Sequence, residues 1–462
     1  MKPILLVDFG STNTKVTAVD VENCEILGTA AAYTTVETDI NNGLHEALKI
    51  LEKTTGPLEF SERYACSSAA GGLKMISIGL VPELTAKASR EASLGAGAKV
   101  WKTYSFNLTK GDMREIETYH PDIILLTGGT DGGNTECILY NAKMLADLSY
   151  DCPIVIAGNR CAADECQEIL EGRTTYICDN VMPRLGELNI EPTQKQIREV
   201  FLKRIVQGKG LSEASDLVSG IIMPTPSAML AAMELLSDGW EDARGIGELV
   251  GVDLGGATTD IYSIADGNPA NAATVMKGLQ EPYAKRSVEG DIGMRYSVQG
   301  ILEAAGDRKL SKISGINRQK IAGLVEYLGS HTDYIPDNEE MEHIDYALAC
   351  AAVETAVTRH AGSLEQVYTP CGLTYVQSGK DLLRVKYVIV TGGALIHAKH
   401  TEEIAKFALY DESTPGSLRP EHAEILVDRK YILAAMGLLS QHYPTAALEI
   451  MKKEIAYYGH KE

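Results

Sequence analysis

Two segments of this 462-residue chain follow one plan, and that repetition limits the possible folds more than any other feature. Leu6-Val7-Asp8-Phe9-Gly10-Ser11-Thr12-Asn13-Thr14-Lys15 runs from an apolar strand through an Asp into small turn residues and then hydroxyls. Val250-Gly251-Val252-Asp253-Leu254-Gly255-Gly256-Ala257-Thr258-Thr259-Asp260 repeats that order 245 positions later. Each turn continues into a second strand, not a helix, which separates both from the P-loop and the dinucleotide-binding fingerprint.

A single turn of this kind would be weak evidence, because any β-hairpin with a Gly and an Asp resembles it. Two copies, one opening each half of the chain, call for a common cause. Phosphate chemistry supplies it. Gly accepts positive φ and leaves no side chain in the way, so backbone N–H groups can turn toward a phosphate. Thr hydroxyls add neutral donors. An Asp at each strand end suits Mg2+, which takes few carboxylates and keeps waters and phosphate oxygens.

Length implies two or three domains, since single cores stop growing near ~250–300 residues. A net charge of −20 argues against a nucleic-acid partner, which would require clustered Lys and Arg. No run of 18 apolar residues is present, so no membrane span is expected. The chain starts Met1-Lys2-Pro3 and enters a strand at once, with no signal-peptide pattern. Nine Cys at irregular spacing, with Cys161 and Cys166 five apart, read as free thiols in a reducing cytoplasm and not as a metal site. Neither Cys161 nor His45 has sequence neighbours that suggest catalysis.

Along the chain, strands are expected at 4–7, 15–20 and 25–34, a helix at 43–53 and a strand at 64–67. From about residue 70 the pattern becomes a β-α alternation: strands near 73–78, 99–106, 122–127, 153–157 and 174–178, each of the first four leading to a helix. That rhythm predicts a doubly wound parallel sheet. Helices are expected at 193–206 and 212–218, and strands at 221–223, 249–254, 259–265 and 387–390. A helical, polar stretch fills about 290–362, and a last helix runs from about 431 to 441. The expected division is 1–70 plus 186–240 as a first domain, 71–185 as an inserted α/β domain, and 241–462 as a second domain.

Two further segments carry meaning. Val388-Ile389-Val390-Thr391-Gly392-Gly393-Ala394 is a buried strand ending in a Gly pair, so the backbone there must come close to something: another segment or a flat ligand. Pro224-Thr225-Pro226-Ser227-Ala228-Met229-Leu230-Ala231-Ala232-Met233-Glu234 is a helix start followed by small residues that allow close packing.

In this order the four segments resemble the nucleotide site of the actin-like ATPase superfamily, which includes sugar kinases and heat-shock chaperones. The resemblance implies a two-domain actin-like (ribonuclease H-like) α/β fold that closes on ATP with Mg2+. It makes Leu6–Lys15 and Val252–Asp260 the two phosphate loops, the Pro224 segment and the helix Tyr346–His360 the connecting segments, and Val388–Ala394 the adenosine loop. By the same resemblance Asp8 and Asp253 hold the metal shell, and Asp260 orients water or substrate or else anchors its hairpin. Gly10, Ser11, Thr12, Asn13 and Lys15 on one loop, and Gly255, Gly256, Ala257 and Thr258 on the other, contact phosphates. Gly392 and Gly393 pack on adenosine. There is one departure: Met223 stands where the chaperone branch has an acid before Pro-Thr, which implies slow turnover and a nucleotide switch.

Thr85–Lys99, Ile124–Asn134 and Ile154–Asp164, together with Leu6–Lys15, resemble the accessory proteins of glutamate mutase, the GlmL or MutL type (unrelated to mismatch repair). That resemblance covers nearly the whole chain. It implies an ATP-dependent reactivase or chaperone, with a cobalamin-dependent mutase, glutamate mutase above all, as its partner. Two alternatives use the same fold: a small-molecule kinase with Asp260 as base, and a non-catalytic binding or filament-forming protein. Thr127-Gly128-Gly129-Thr130-Asp131-Gly132-Gly133, between a strand and a helix, is expected to be a ligand or partner loop.

Overall fold

In the first strand, Pro3–Phe9 (β1), every side chain is buried, which is why its apolar run needs no alternation. The computed structural model describes residues 2–10, 13–34, 40–68, 73–208, 221–271, 273–370 and 372–455. The chain divides into two compact units, Met1–Ala232 with Leu433–Ile450, and Met233–Ile432 with Met451–Glu462.

The first unit begins with β1, Asn13–Asp20 (β2) and Glu25–Tyr33 (β3), followed by helix Ile40–Thr55 (α1) and strand Glu62–Ser67 (β4). The β-α series comes next: Leu73–Gly79 (β5), Lys87–Gly95 (α2), Ala98–Ser105 (β6), Lys110–Tyr119 (α3), Ile123–Leu126 (β7) and Glu136–Ala146 (α4). It continues through Ile154–Ile156 (β8), Ala163–Ile169 (α5) and Thr175–Ile177 (β9). Helix Glu191–Gly208 (α6), strand Ile221–Pro224 (β10) and helix Thr225–Asp238 (α7) follow. The helix expected at 212–218 lies outside the described residues.

Two sheets result. One has the order β10-β4-β1-β2-β3, with β2 antiparallel to both neighbours and β4 and β10 parallel to β1. The other is wholly parallel, in the order β6-β5-β7-β8-β9. Counted within itself that order is 2-1-3-4-5, a doubly wound sheet. Its core is aliphatic, from Ile76, Ile124 and Ile154 on the strands to Ile138 and Leu145 on α4.

The second unit has a short ribbon, Gly239–Trp240 (β11) and Ala243–Arg244 (β12), then Leu249–Leu254 (β13), Thr259–Ile264 (β14), Val275–Lys277 (β15) and Ala284–Glu289 (β16). Four helices fill the polar stretch: Val298–Ala305 (α8), Asp307–Ser314 (α9), Arg318–Ser330 (α10) and Glu339–His360 (α11). Strands Ser363–Thr369 (β17), Gly372–Ser378 (β18) and Tyr387–Thr391 (β19) precede Gly393–Ile396 (α12), Thr401–Ala405 (α13) and Glu424–Val427 (β20). The main sheet reads β20-β19-β13-β14-β16, and β15-β18-β17 form a smaller one. Helix α11 buries its small residues Ala349, Ala351, Ala352 and Ala356 in the core under β13 and β14.

The two main sheets have one strand order and one set of directions: β1 and β13 pair antiparallel with the next strand and parallel with a later one. This duplicated five-stranded sheet is the actin-like, ribonuclease H-like architecture. The last described helices are Leu433–Ser440 (α14) and Pro444–Glu454 (α15). In the first unit α14 crosses α7 at close range; a Cβ on Gly437 would lie 1.8 Å from the Ala228 carbonyl oxygen.

Candidate functional site

The duplicated sheets place the two acid-tipped strands in equivalent positions. In the first hairpin Asp8 faces Lys15 and Phe9 faces Thr14; in the second Asp253 faces Asp260 and Leu254 faces Thr259. The loops are equally long, and each closes with the same hydrogen bond. The Gly10 amide donates to the Asn13 carbonyl at 3.1 Å, and the Gly255 amide donates to the Thr258 carbonyl at 3.0 Å. Ser11 and Thr12 lie outside the described residues.

The second loop shows where its amides point. The Gly255 carbonyl accepts from the Met294 amide, and the Gly256 carbonyl accepts from the amides of Arg295 and Tyr296. A trans peptide directs its N–H opposite its C=O. The N–H groups of Gly256 and Ala257 therefore point away from 294–296, and both residues are exposed. Two neighbouring amides directed to one open side form an anion-binding arrangement.

Asp8 is 6% exposed and held on both oxygens. Its Oδ1 accepts from the Thr225 hydroxyl at 2.6 Å and from the Cys66 thiol at 3.5 Å, and Lys15 Nζ lies 3.4 Å from Oδ2. Burial, then the Asp8 charge, pushes the Cys66 thiol well above its ordinary pKa, so it stays a donor. Asp260 is held differently. Arg286 donates to its Oδ1 from Nε at 2.8 Å and from Nη2 at 2.6 Å, and the Thr258 hydroxyl lies 3.4 Å from Oδ2.

Gly392 has φ +94°, and a Cβ on it would lie 2.4 Å from the Leu254 carbonyl and 2.7 Å from Asp253 Oδ1. The backbone it approaches is thus the tip of β13. Gly393 faces open space, and nothing lies within 4 Å of its Cβ position. The two glycines of one motif have different environments.

The Thr127–Gly133 loop is tied to the segments after β8 and β9. Asn159 accepts from the Gly132 amide and donates to the carbonyls of Gly133 and Asn134. Asn180 donates to the Gly129 carbonyl and to Asp131. Gly129, at φ +71°, presses on the Asn134 carbonyl, and Gly158 presses on Gly128. Gly129 is thus held by close packing, whereas a Cβ on Gly132 would meet nothing within 4 Å.

Thr225, Cys66 and Arg286 are site neighbours that sequence reasoning did not single out. Pro224-Thr225 was read as a helix start, but the partner of its hydroxyl lies 217 positions away. Arg286 lies on a strand with no apolar pattern. Among the described residues no group of three or more His, Cys, Asp or Glu could hold a metal ion. In each unit taken by itself, the carboxylate at the strand tip, Asp8 or Asp253, is an oxygen donor of the kind suited to a cation that keeps its own waters, as Mg2+ does. No described helix is long and apolar enough to cross a membrane.

Two sheets of one strand order, each with an acid-tipped strand and a tight glycine hairpin, define a protein of the actin-like fold class. Within that class the chain belongs to the MutL protein family, whose model matches residues 4–455. Protein MutL of Clostridium tetanomorphum is 49% identical over 457 residues, spanning 98% of this chain and 99% of that one. Among solved structures, the diol dehydratase-reactivating factor in nucleotide-free form matches at 12% identity and TM-score 0.37, over 96% of this chain and 100% of that one. The activator of the 2-hydroxyisocaproyl-CoA dehydratase from Clostridium difficile with bound ADPNP matches at 9% and 0.31, over 96% and 95%. These structural likenesses are distant, and the fold assignment stands on the sheet order.

Proposed function

We propose that this protein is an ATP-dependent reactivase, a chaperone that promotes release of damaged cobalamin from an adenosylcobalamin-dependent mutase, namely glutamate (methylaspartate) mutase. Its ligand is ATP with Mg2+, and it works in the cytoplasm. The observation that carries the nucleotide reading is the pair of hairpins with one hydrogen-bond pattern, the second presenting the Gly256 and Ala257 amides on one side. Gly10–Lys15 and Gly255–Thr258 serve the phosphates, Asp8 and Asp253 the metal's water shell, and exposed Gly393 the adenosine. The partner reading is supported by membership of the MutL family and by the resemblance of residues 85–99, 124–134 and 154–164 to glutamate mutase accessory proteins. Residues 71–185 form the inserted domain that meets the mutase.

The chemistry is coherent with this role. Radical enzymes that lose the upper cobalamin ligand keep an inactive cofactor tightly bound, and its release requires a change in the mutase. A nucleotide-bound protein drives that change only if its ATP and ADP states differ in affinity for the two mutase states. Met223, buried at the chaperone acid's position, cannot activate water, so hydrolysis is slow. Against a small-molecule kinase counts the Arg286 ion pair on Asp260, its one candidate base.

The test is rescue of a cobalamin-inactivated glutamate mutase by this protein with fresh adenosylcobalamin and ATP or a non-hydrolysable analogue. Recovery that depends on ATP is expected. No recovery while ATP binding persists would reject the partner and leave the nucleotide site standing.

A further inference from the structure

We infer that Thr225 is a positioning residue that sets which oxygen of Asp8 is offered to the metal's water shell; this rests on the nucleotide reading above. Thr225 is the first residue of α7, one place beyond β10, and its side chain reaches over β4 to β1. Its hydroxyl lies 3.6 Å from Cys66 Sγ and 2.6 Å from Asp8 Oδ1. Oδ1 therefore receives a short hydroxyl bond and a thiol contact. Oδ2 has Lys15 Nζ at 3.4 Å, longer than a charge-assisted bond of ideal length. The carboxylate is thus held most tightly through Oδ1, and Oδ2, with the longer Lys15 contact, is the less committed oxygen, placed to accept from an incoming water as well.

In the second unit the residue beside the acid is engaged differently. Thr391 pairs with Asp253 in register as Cys66 pairs with Asp8. Its hydroxyl donates instead to Asp428 Oδ2, at 3.1 Å.

The experiment titrates Mg2+ against binding of a non-hydrolysable ATP analogue to the full chain by calorimetry, and records the melting temperature of the unliganded protein. Thr225→Val keeps shape and removes the donor. It is expected to raise the half-saturating Mg2+ concentration about tenfold, equal to about 1.4 kcal/mol. Analogue affinity without Mg2+ should stay unchanged, and Thr225→Ser should restore the wild-type curve to within about twofold. If Thr225→Val does not fold, Thr225→Ala is read in the same way. A Mg2+ curve like the wild type's, or equal loss of affinity with and without Mg2+, overturns the positioning role. A wild-type protein whose analogue binding ignores Mg2+ overturns the assignment of Asp8 itself, and the positioning role falls with it.

Discussion

Gly392 and Gly393 are adjacent and chemically identical, and the structure predicts opposite outcomes for the same substitution. Gly392 sits at φ +94°, ψ 143°, a region nearly closed to side-chain-bearing residues, where the backbone alone costs about 1–3 kcal/mol. An Ala methyl there would also meet the Leu254 carbonyl at 2.4 Å, the Leu254 amide at 2.7 Å and Asp253 Oδ1 at 2.7 Å. All three belong to β13 at the centre of its sheet, so relief requires moving a core strand; overpacking of this kind costs about 1–3 kcal/mol more. The expected total is about 2–6 kcal/mol, which for a unit of roughly 200 residues lowers the melting temperature by about 5–20 °C. Gly393→Ala meets nothing and begins a helix, where Ala gains about 0.4–1 kcal/mol over Gly. Scanning calorimetry of the two variants provides the assay. A Gly392→Ala protein that melts within 2 °C of wild type would refute the packing argument.

Arg286→Met should destabilise the second unit by about 3–5 kcal/mol, because Asp260 would lose both Arg286 hydrogen bonds to its Oδ1 while largely buried; adding Asp260→Leu should recover part of that, and a double-mutant cycle with no coupling would refute the pair's role. His360 is buried between Ser287 Oγ at 2.7 Å and Ser263 Oγ at 2.8 Å. Burial first, then Lys285 and Lys380, hold its pKa well below the ordinary value. The unfolded chain takes up a proton near pH 6.5 that the folded chain refuses, so this contribution is complete above pH 6.5 and is lost as pH falls below it. The expected slope is about 1.4 kcal/mol per pH unit, and a His360→Gln variant that keeps the wild-type slope would refute it.

Much of the architecture was legible because the buried strands are written in aliphatic runs: Ile4–Val7, Leu249–Leu254 and Val388–Val390 appear where the sequence places them. The β-α rhythm from Leu73 to Ile177 was equally plain, since each short strand is bounded by turn residues. Other strands gave no signal. β16, Ala284–Glu289, buries Lys285, Arg286 and Ser287 and satisfies them with His360 and Asp260, so no apolar alternation marks it. β17 is largely exposed and β18 largely half-buried on both faces, so both lack the contrast that period-two patterning needs. Site geometry was legible only where it is local. The two loops are contiguous segments, whereas the Thr225–Asp8 bond depends on a strand order that brings residues 217 apart together.

The duplication also allows one unit to be read against the other. Across the first sheet the row beside the acid runs Asp8, Cys66, Met223; across the second it runs Asp253, Thr391, Asp428. The second unit thus has a carboxylate where the first has a methionine, and Asp428 is the obvious substitute for the missing acid. Its bonds exclude it from that role. It is 1% exposed; Oδ2 accepts from Thr391 and Oδ1 accepts from the Ile432 amide at 2.9 Å, so it caps the turn into α14. Asp260, the remaining candidate, is committed to Arg286. Among the described residues, Asp260 and Asp428 are thus both engaged by neighbouring groups, which accords with the slow hydrolysis proposed above. On that proposal a long-lived nucleotide-bound state would suit the role, because a partner must be found and remodelled before the nucleotide state changes.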